Sequence, residues 1–484
     1  LSLQTQVSNE DPECRIAVMS STSRHRRERD RDRRVFTPRR VRRIEGAALL
    51  LIATIGVILA TLRPTEGTPA HLCVVCGAHA SVDAIVNILL FVPIGAGLAL
   101  LGVRWRTAIM IGAAATILVE TLQLALPLGR SASISDLLTN TLGTAVGYYL
   151  SEHRRAIAYP RSRAALRYAI GLGLAWLVML TATAVALLPS IPEGGYIAQW
   201  QPALEPFDRF TGRVSSAHLS GVTTPNGRVT DSERLWHALR QGVRVEATIE
   251  PGGAPRRVAP IVRVTTVDSA EVLLLAQRRD ELLFRSRVLG TAMRLATPTV
   301  AMPDAVLPLV STERGSLIAG GRRERGQLRV GALGGDAILE LHAGAGWLLL
   351  LPPASALQAS ADLLSGVWVG LPLFAAAYWT GRRARRRARR AGDAMRMRGA
   401  GGQILLATPV LLGVAVIGLA GISALFGLSQ PSKTVWLGAV LGIGSGLAVG
   451  ASLALSRDDR THGSPRHDAK GGETVAPAPQ TANV

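Results

Sequence analysis

The stretch "ETLQLALPLGRSASISDLLTN" (residues 120–140) decides how the chain folds. It lies between two apolar runs, each long enough to cross a bilayer as a helix. Yet it carries Glu120, Gln123, Arg130, Asp136 and Asn140. Ionisable groups near membrane depth are costly, and where they occur they pair, line a cavity or serve a site. The flanking runs therefore read as membrane helices, and the polar stretch as the connection between them.

The rest of the chain fits that reading. Of 484 residues, 48% are apolar and only 18% charged, and the charges are clumped into arginine-rich segments between charge-free runs. This is the composition of a multi-span membrane protein. The net charge of +20 does not point to nucleic acid. The arginines flank apolar spans, where they meet anionic headgroups and fix orientation, and no nucleic-acid-binding motif is present. Residues 1–18, ahead of Met19, read as an upstream extension of the reading frame. The run "GAALLLIATIGVILATLRPTEG" (46–67) lacks a small-x-small cleavage site and reads as a retained first span.

Eight spans are expected, at 44–62, 84–101, 107–126, 134–150, 168–188, 363–380, 404–428 and 434–455. The arginine clusters orient them. The clusters at 23–43, 102–107, 151–167 and 381–398 all fall on one side if all eight spans are real. That side is then cytoplasmic and holds both termini, whereas the long insert between spans five and six is extracytoplasmic. The expected organisation is a basic N-terminal segment (1–43), a four-helix membrane unit (44–152), a fifth span (168–188) and a β-rich insert (195–355). A sixth span (363–380), an arginine-rich linker (381–402), spans seven and eight (404–455) and a disordered tail (456–484) follow.

This topology brings seven polar residues to one depth near the extracytoplasmic surface. Asp83 and Asn87 open span two, Glu120 and Gln123 close span three, Arg130 lies in the loop, and Asp136 and Asn140 open span four. The pairs 83/87 and 136/140 are i,i+4 and share helix faces, as does 120/123 at i,i+3. A purely structural reading competes with a site. Aspartates suit the positive end of a helix dipole, and Ser133 with Asp136 resembles a capping box. The segment "GTAVG" (143–147) suits close helix packing, and Glu120 can pair with Arg130. Capping does not explain an acid at the end of span three, so Glu120 favours a site. "DAIVN" (83–87) and "DLLTN" (136–140) also echo each other faintly.

These residues resemble the VanZ-like family of bacterial membrane proteins. The pattern runs through "DAIVNILLFVPIGAGLALL" (83–101) and "ILVETLQLALPLGRSASISDLLTNTLGTAVGYYL" (117–150). It comprises Asp83, Asn87, Phe91, Pro93, Gly95, Glu120, Gln123, Arg130, Asp136, Asn140 and Gly143, in order, over roughly 45–152. The family is named for a protein linked to low-level resistance to teicoplanin, a glycopeptide that binds cell-wall precursors. The resemblance implies a cell-envelope role and supplies no catalytic residues.

The loop "HLCVVCGAH" (71–79) holds Cys73 and Cys76 between His71 and His79. This can be a weak zinc set, a small disulfide, or unpaired cysteines. No cofactor is otherwise called for.

The insert changes character. Short alternating runs such as "VRVEATIE" (243–250), "PIVRVTTV" (260–267) and "ELLFRSRVL" (281–289) are separated by turns such as "PGGAP" (251–255). This is a β-sandwich pattern. The stretch "IVRVTTVDSAEVLLLAQRRDELLFRSRV" (261–288) resembles concanavalin A-like, laminin-G-like jelly rolls, which often bind glycans; the alternative is a sandwich that binds nothing specific. Trp200, Trp236 and His237 are sugar-stacking or packing residues, and neither a calcium cluster nor a glycosidase carboxylate pair stands out.

The expected fold is thus a polytopic α-helical membrane protein with an extracytoplasmic all-β jelly-roll sandwich. Its expected partners are the bilayer and a lipid-linked wall precursor or glycan. A binding protein is favoured over an enzyme, because no nucleophile, phosphate loop or secure metal set is present. The alternative is a membrane-embedded enzyme with Glu120 or Asp136 as acid/base and Arg130 as anion clamp. A transporter needs ionisable groups at mid-membrane, and spans five to eight hold almost none.

Overall fold

The computed structural model describes residues 38–62, 72–75, 77, 79–126, 132–205, 207–305, 317–324, 326–332, 334–351, 358–390 and 396–452. The expected basic segment up to residue 37 and the tail from 456 lie outside them.

The first unit is a layer of four helices: α1 (Pro38–Thr61), α2 (Ala80–Leu101), α3 (Trp105–Ala125) and α4 (Ile134–Glu152). Two-residue strands β1 (Leu72–Cys73) and β2 (Ala132–Ser133) pair in parallel just before α2 and α4. The helices α2 and α4 therefore run parallel, and small residues let them touch. A Cβ on Gly95 would collide with the Thr144 carbonyl, and one on Gly147 with the Val92 carbonyl. Backbone contact this close needs glycine. At the other end, Arg42 Nη2 donates to Ala99 O at 2.8 Å and lies 3.7 Å from Glu152. Tyr148 Oη donates to Val103 O at 3.0 Å.

A second bundle comprises α5 (Ser162–Ala186), α7 (Ala361–Arg390), α8 (Arg396–Val416) and α9 (Lys433–Ser452). A π-helical turn, Ile417–Gly421, extends α8 into Ile422–Leu425. The helices α7 and α9 meet along Gly366, Gly370, Gly438 and Gly442. The two units join at the arginine-rich end, where Tyr378 Oη donates to Ala158 O (2.7 Å) and Trp379 Nε1 to Ile157 O (2.8 Å).

Among the described residues, seven helices are long and apolar enough to cross a membrane. The chain is a multi-pass membrane protein. The helix α4 falls short of that hydropathy because it carries Asp136, Asn140 and several hydroxyls. It nonetheless runs beside α2 from the β1–β2 pair to Arg42.

The insert is β-rich. Its strands are β3 (Tyr196–Trp200), β4 (Arg213–Leu219), β5 (Val222–Thr223), β6 (Gly227–Arg228), β7 (Val243–Glu250) and β8 (Ala259–Thr266). There follow β9 (Glu271–Arg278), β10 (Glu281–Ser286), β11 (Thr299–Met302), β12 (Leu317–Glu324), β13 (Gln327–Ala332) and β14 (Gly335–Glu340). They form two six-stranded antiparallel sheets, ordered β11-β10-β9-β8-β3-β6 and β14-β13-β12-β7-β4-β5. Alternate residues of β7 and β12 are buried, as a sheet with one packed face requires. Phe284 of the first sheet packs where a Cβ on Gly321 of the second would sit. Interrupting the strands are a short helical turn, Leu289–Ala292, and a ten-residue helix, α6 (Ser232–Gln241). Its "SERLWHALRQ" has helical period, so Trp236 packs on the core from a helix, with Arg240 4.7 Å over its ring.

One hydrophobic core runs from the sandwich into the second bundle. The two are pinned by Leu289 N to Leu188 O (2.8 Å), Ala343 N to Ser423 Oγ (3.1 Å) and Trp347 Nε1 to Ser365 Oγ (2.9 Å). The sandwich thus sits at the end of the bundle opposite the arginines.

Candidate functional site at the polar end of the helical layer

The polar residues of the first unit gather at its β1–β2 end. Glu120, near the end of α3, accepts a hydrogen bond from the backbone N–H of Ser133 at 2.7 Å. Ser133 is the N-cap of α4, so the acid ties α3 to the start of α4. The expected Ser133–Asp136 capping box does not form. Pairing with Cys73 draws Ser133 into extended backbone, and its hydroxyl turns to Val74 O (3.3 Å) and Ser135 Oγ (2.6 Å).

Gln123, also buried, donates from Nε2 to Thr61 O at 3.1 Å and holds α3 against the end of α1. Both residues of the Glu-x-x-Gln pattern are therefore cross-links between helix ends. The structural role that capping could not supply for Glu120 comes from this long-range bond.

The two Asp-x-x-x-Asn helices are parallel neighbours. Gly143 of α4 lies against Ile88 of α2, and Gly147 against Val92. Toward the polar end, this register brings Asp136 and Asn140 to within about a turn of Asp83 and Asn87 along the helix axes. The two halves of the faint sequence echo thus lie on neighbouring parallel helices. Asp83 is exposed, Asn87 and Asp136 are half-buried, and Asn140 is buried. Asn140 Oδ1 has no hydrogen-bond partner among the described residues. A buried amide oxygen left open is costly unless a ligand or water meets it.

Cys73 is disulfide-bonded, which removes its thiolate from any zinc set. His79 precedes α2, and its carbonyl accepts from Asp83 N at 3.0 Å. Arg130, His71 and Cys76 lie outside the described residues. Among the described residues no group of three or more His, Cys, Asp or Glu can hold a metal.

Sequence reasoning missed a second feature. The outer face of β7, β12, β13 and β14 forms a groove of about 440 Å³. Its floor includes Gly320 and Gly331, opposite each other in the register. Its rim carries the ion pairs Arg244–Glu246 (2.6 Å) and Arg329–Asp336 (3.3 Å), with Arg322. The signal was in the alternation of "LIAGGRRE" (317–324), which sends Ile318, Gly320 and Arg322 outward.

The same alternation sends Arg323 inward, where it donates to Leu187 O at the end of α5. Burial pulls its guanidinium down to about 10, so it stays charged at neutral pH. His342, buried beside the bundle, is pushed down to about 4 by loss of solvent, against an opposing pull from Asp362.

No curated protein and no solved structure matches the chain. Residues 19–155 match the family described as VanZ/LLP1. The helical layer that joins Glu120 to Ser133 and sets the two Asp-x-x-x-Asn helices side by side is a VanZ-like domain.

Proposed function

We propose that this is a cell-envelope membrane protein whose VanZ-like domain and β-sandwich together bind wall material, a lipid-linked precursor or its glycan, without catalysing its turnover. The observation that carries the reading is the hydrogen bond from Ser81 Oγ to Met293 O, 2.7 Å. It joins the first turn of α2, two residues from Asp83, to the insert. Polar helix ends and sandwich then offer one continuous face. On this reading, which the arginine asymmetry supports, that face is outside the cell and the termini are inside. Asp83, Asn87, Asp136 and Asn140 are the proposed ligand contacts on the helices. On the sandwich, a jelly-roll relative by this reading, the glycine-floored groove would lie against a sugar ring while its charged rim meets hydroxyls. Glu120 and Gln123 hold the helix ends in place.

Growth inhibition by teicoplanin in a sensitive host tests the reading. Cells would express wild type, Asp83→Asn/Asp136→Asn, Glu120→Gln or empty vector, with membrane levels matched. Wild type should protect and the double aspartate variant should not. Equal growth of wild-type and empty-vector cells would overturn the link to wall precursors.

A further inference from the structure

A groove of about 500 Å³ runs between α5, α7 and α8, in the second bundle and remote from the VanZ-like domain. Leu174, Leu406 and Val410 form its walls, with 59%, 74% and 65% of their surfaces exposed. Along α5 it reaches from Leu166 to Leu177, roughly 16 Å at 1.5 Å per residue. That is about half the 30 Å hydrocarbon core, the depth of one leaflet. The mouth lies at the arginine-rich end and is framed by Arg383, Arg387 and Gln403.

The charges at this mouth are unbalanced. Arg383 and Arg387 are i,i+4 on one face of α7, and like charges so placed repel. Among the described residues neither guanidinium meets a carboxylate. The helices α5 and α8 contain no acid at all, and the one acid of α7, Asp362, lies at its opposite end. Lys and Arg at a membrane surface attract anionic headgroups. Guanidinium in particular suits a phosphate oxygen pair.

We propose that this groove holds an anionic phospholipid of the surrounding bilayer, its acyl chain against α5 and α8 and its phosphate on Arg383 and Arg387. The lipid links the arginine-rich end of α7 to α8 across a gap that side chains leave open. Its leaflet is the one on the arginine side.

Native mass spectrometry of the full chain tests this. The protein would be reconstituted in phosphatidylglycerol and phosphatidylcholine in equal parts, then delipidated in detergent. Wild type should retain phosphatidylglycerol preferentially, by about fivefold for each guanidinium engaged. Arg383→Gln/Arg387→Gln should retain both lipids equally. Gly173 lines the groove, and a Cβ added there would meet nothing within 4 Å. Gly173→Phe should therefore fill the groove and lose the retained lipid while keeping both arginines. The pair Arg163→Gln/Arg167→Gln removes equal charge from the same end of α5 without touching the groove lining, and should retain lipid as wild type does. Unchanged phosphatidylglycerol retention in the α7 double variant would overturn the proposal. An equal loss in the α5 pair would too, since it would reduce the effect to general surface charge.

Discussion

Glu120 Oε2 lies 2.7 Å from the backbone nitrogen of Ser133, the N-cap of α4. The carboxylate that looked most like a reactive group is thus a strut between two helix ends. Its neighbour in the pattern, Gln123, does the same for Thr61 at 3.1 Å. The Glu-x-x-Gln pattern ties helix ends together at the polar end, and the Asp-x-x-x-Asn residues lie on the neighbouring helices α2 and α4.

Removing the strut should cost stability before it costs chemistry. Glu120→Ala leaves the Ser133 N–H without its acceptor, a loss of about 1–3 kcal/mol. Glu120→Gln keeps an acceptor and should lose less. Thermal unfolding of the detergent-purified protein, followed by the exposure of a cysteine placed in α4, should rank wild type above Gln above Ala.

The contact between α2 and α4 should tolerate no side chain at Gly147. A Cβ there meets the Val92 carbonyl. Gly147→Val forces the helices apart at a cost of about 1–3 kcal/mol or more. Limited proteolysis should cut the variant faster in the loops of the first unit while leaving the sandwich fragment intact.

Stability should fall on the acid side because of His342. Its folded value is about 4 against an ordinary 6.5. The folded state keeps the ring neutral, whereas the unfolded chain takes up a proton as pH drops below 6.5. Stability therefore declines from pH 6.5 and levels off below about 4, by on the order of 3 kcal/mol. Melting temperatures between pH 4 and 7.5 should slope more steeply for wild type than for His342→Gln.

Cys73 should resist alkylation until it is reduced, since it is disulfide-bonded. Mass tagging with a maleimide polymer, with and without dithiothreitol, should label Cys73 only in the reduced sample. Labelling without reductant would return it to the free thiols.

Much of this was legible in the sequence, and the reasons are physical. Span length and arginine clumps announce membrane helices, because the bilayer imposes both. The β-rich insert shows in period-two runs such as "VRVEATIE". Contacts between distant residues were not legible. Nothing local says that Glu120 finds the backbone of Ser133, thirteen residues on. Nor does the sequence tell that "DAIVN" and "DLLTN" lie side by side, since that register comes from Gly143 and Gly147 against α2. The helix α6 was hidden inside a β pattern, and the groove over Gly320 and Gly331 needs four strands to exist.

On the proposed topology, the polar helix ends and the sandwich share the outer face of the membrane. Cysteine accessibility in intact cells tests it most directly. On a Cys73→Ser background with the other native cysteines also removed, Ser269→Cys marks the exposed β8–β9 turn and Ala156→Cys the arginine-rich end. A membrane-impermeant maleimide should label Ser269→Cys in whole cells and reach Ala156→Cys only after lysis. Labelling of Ala156→Cys alone in intact cells would turn the molecule over and contradict the account.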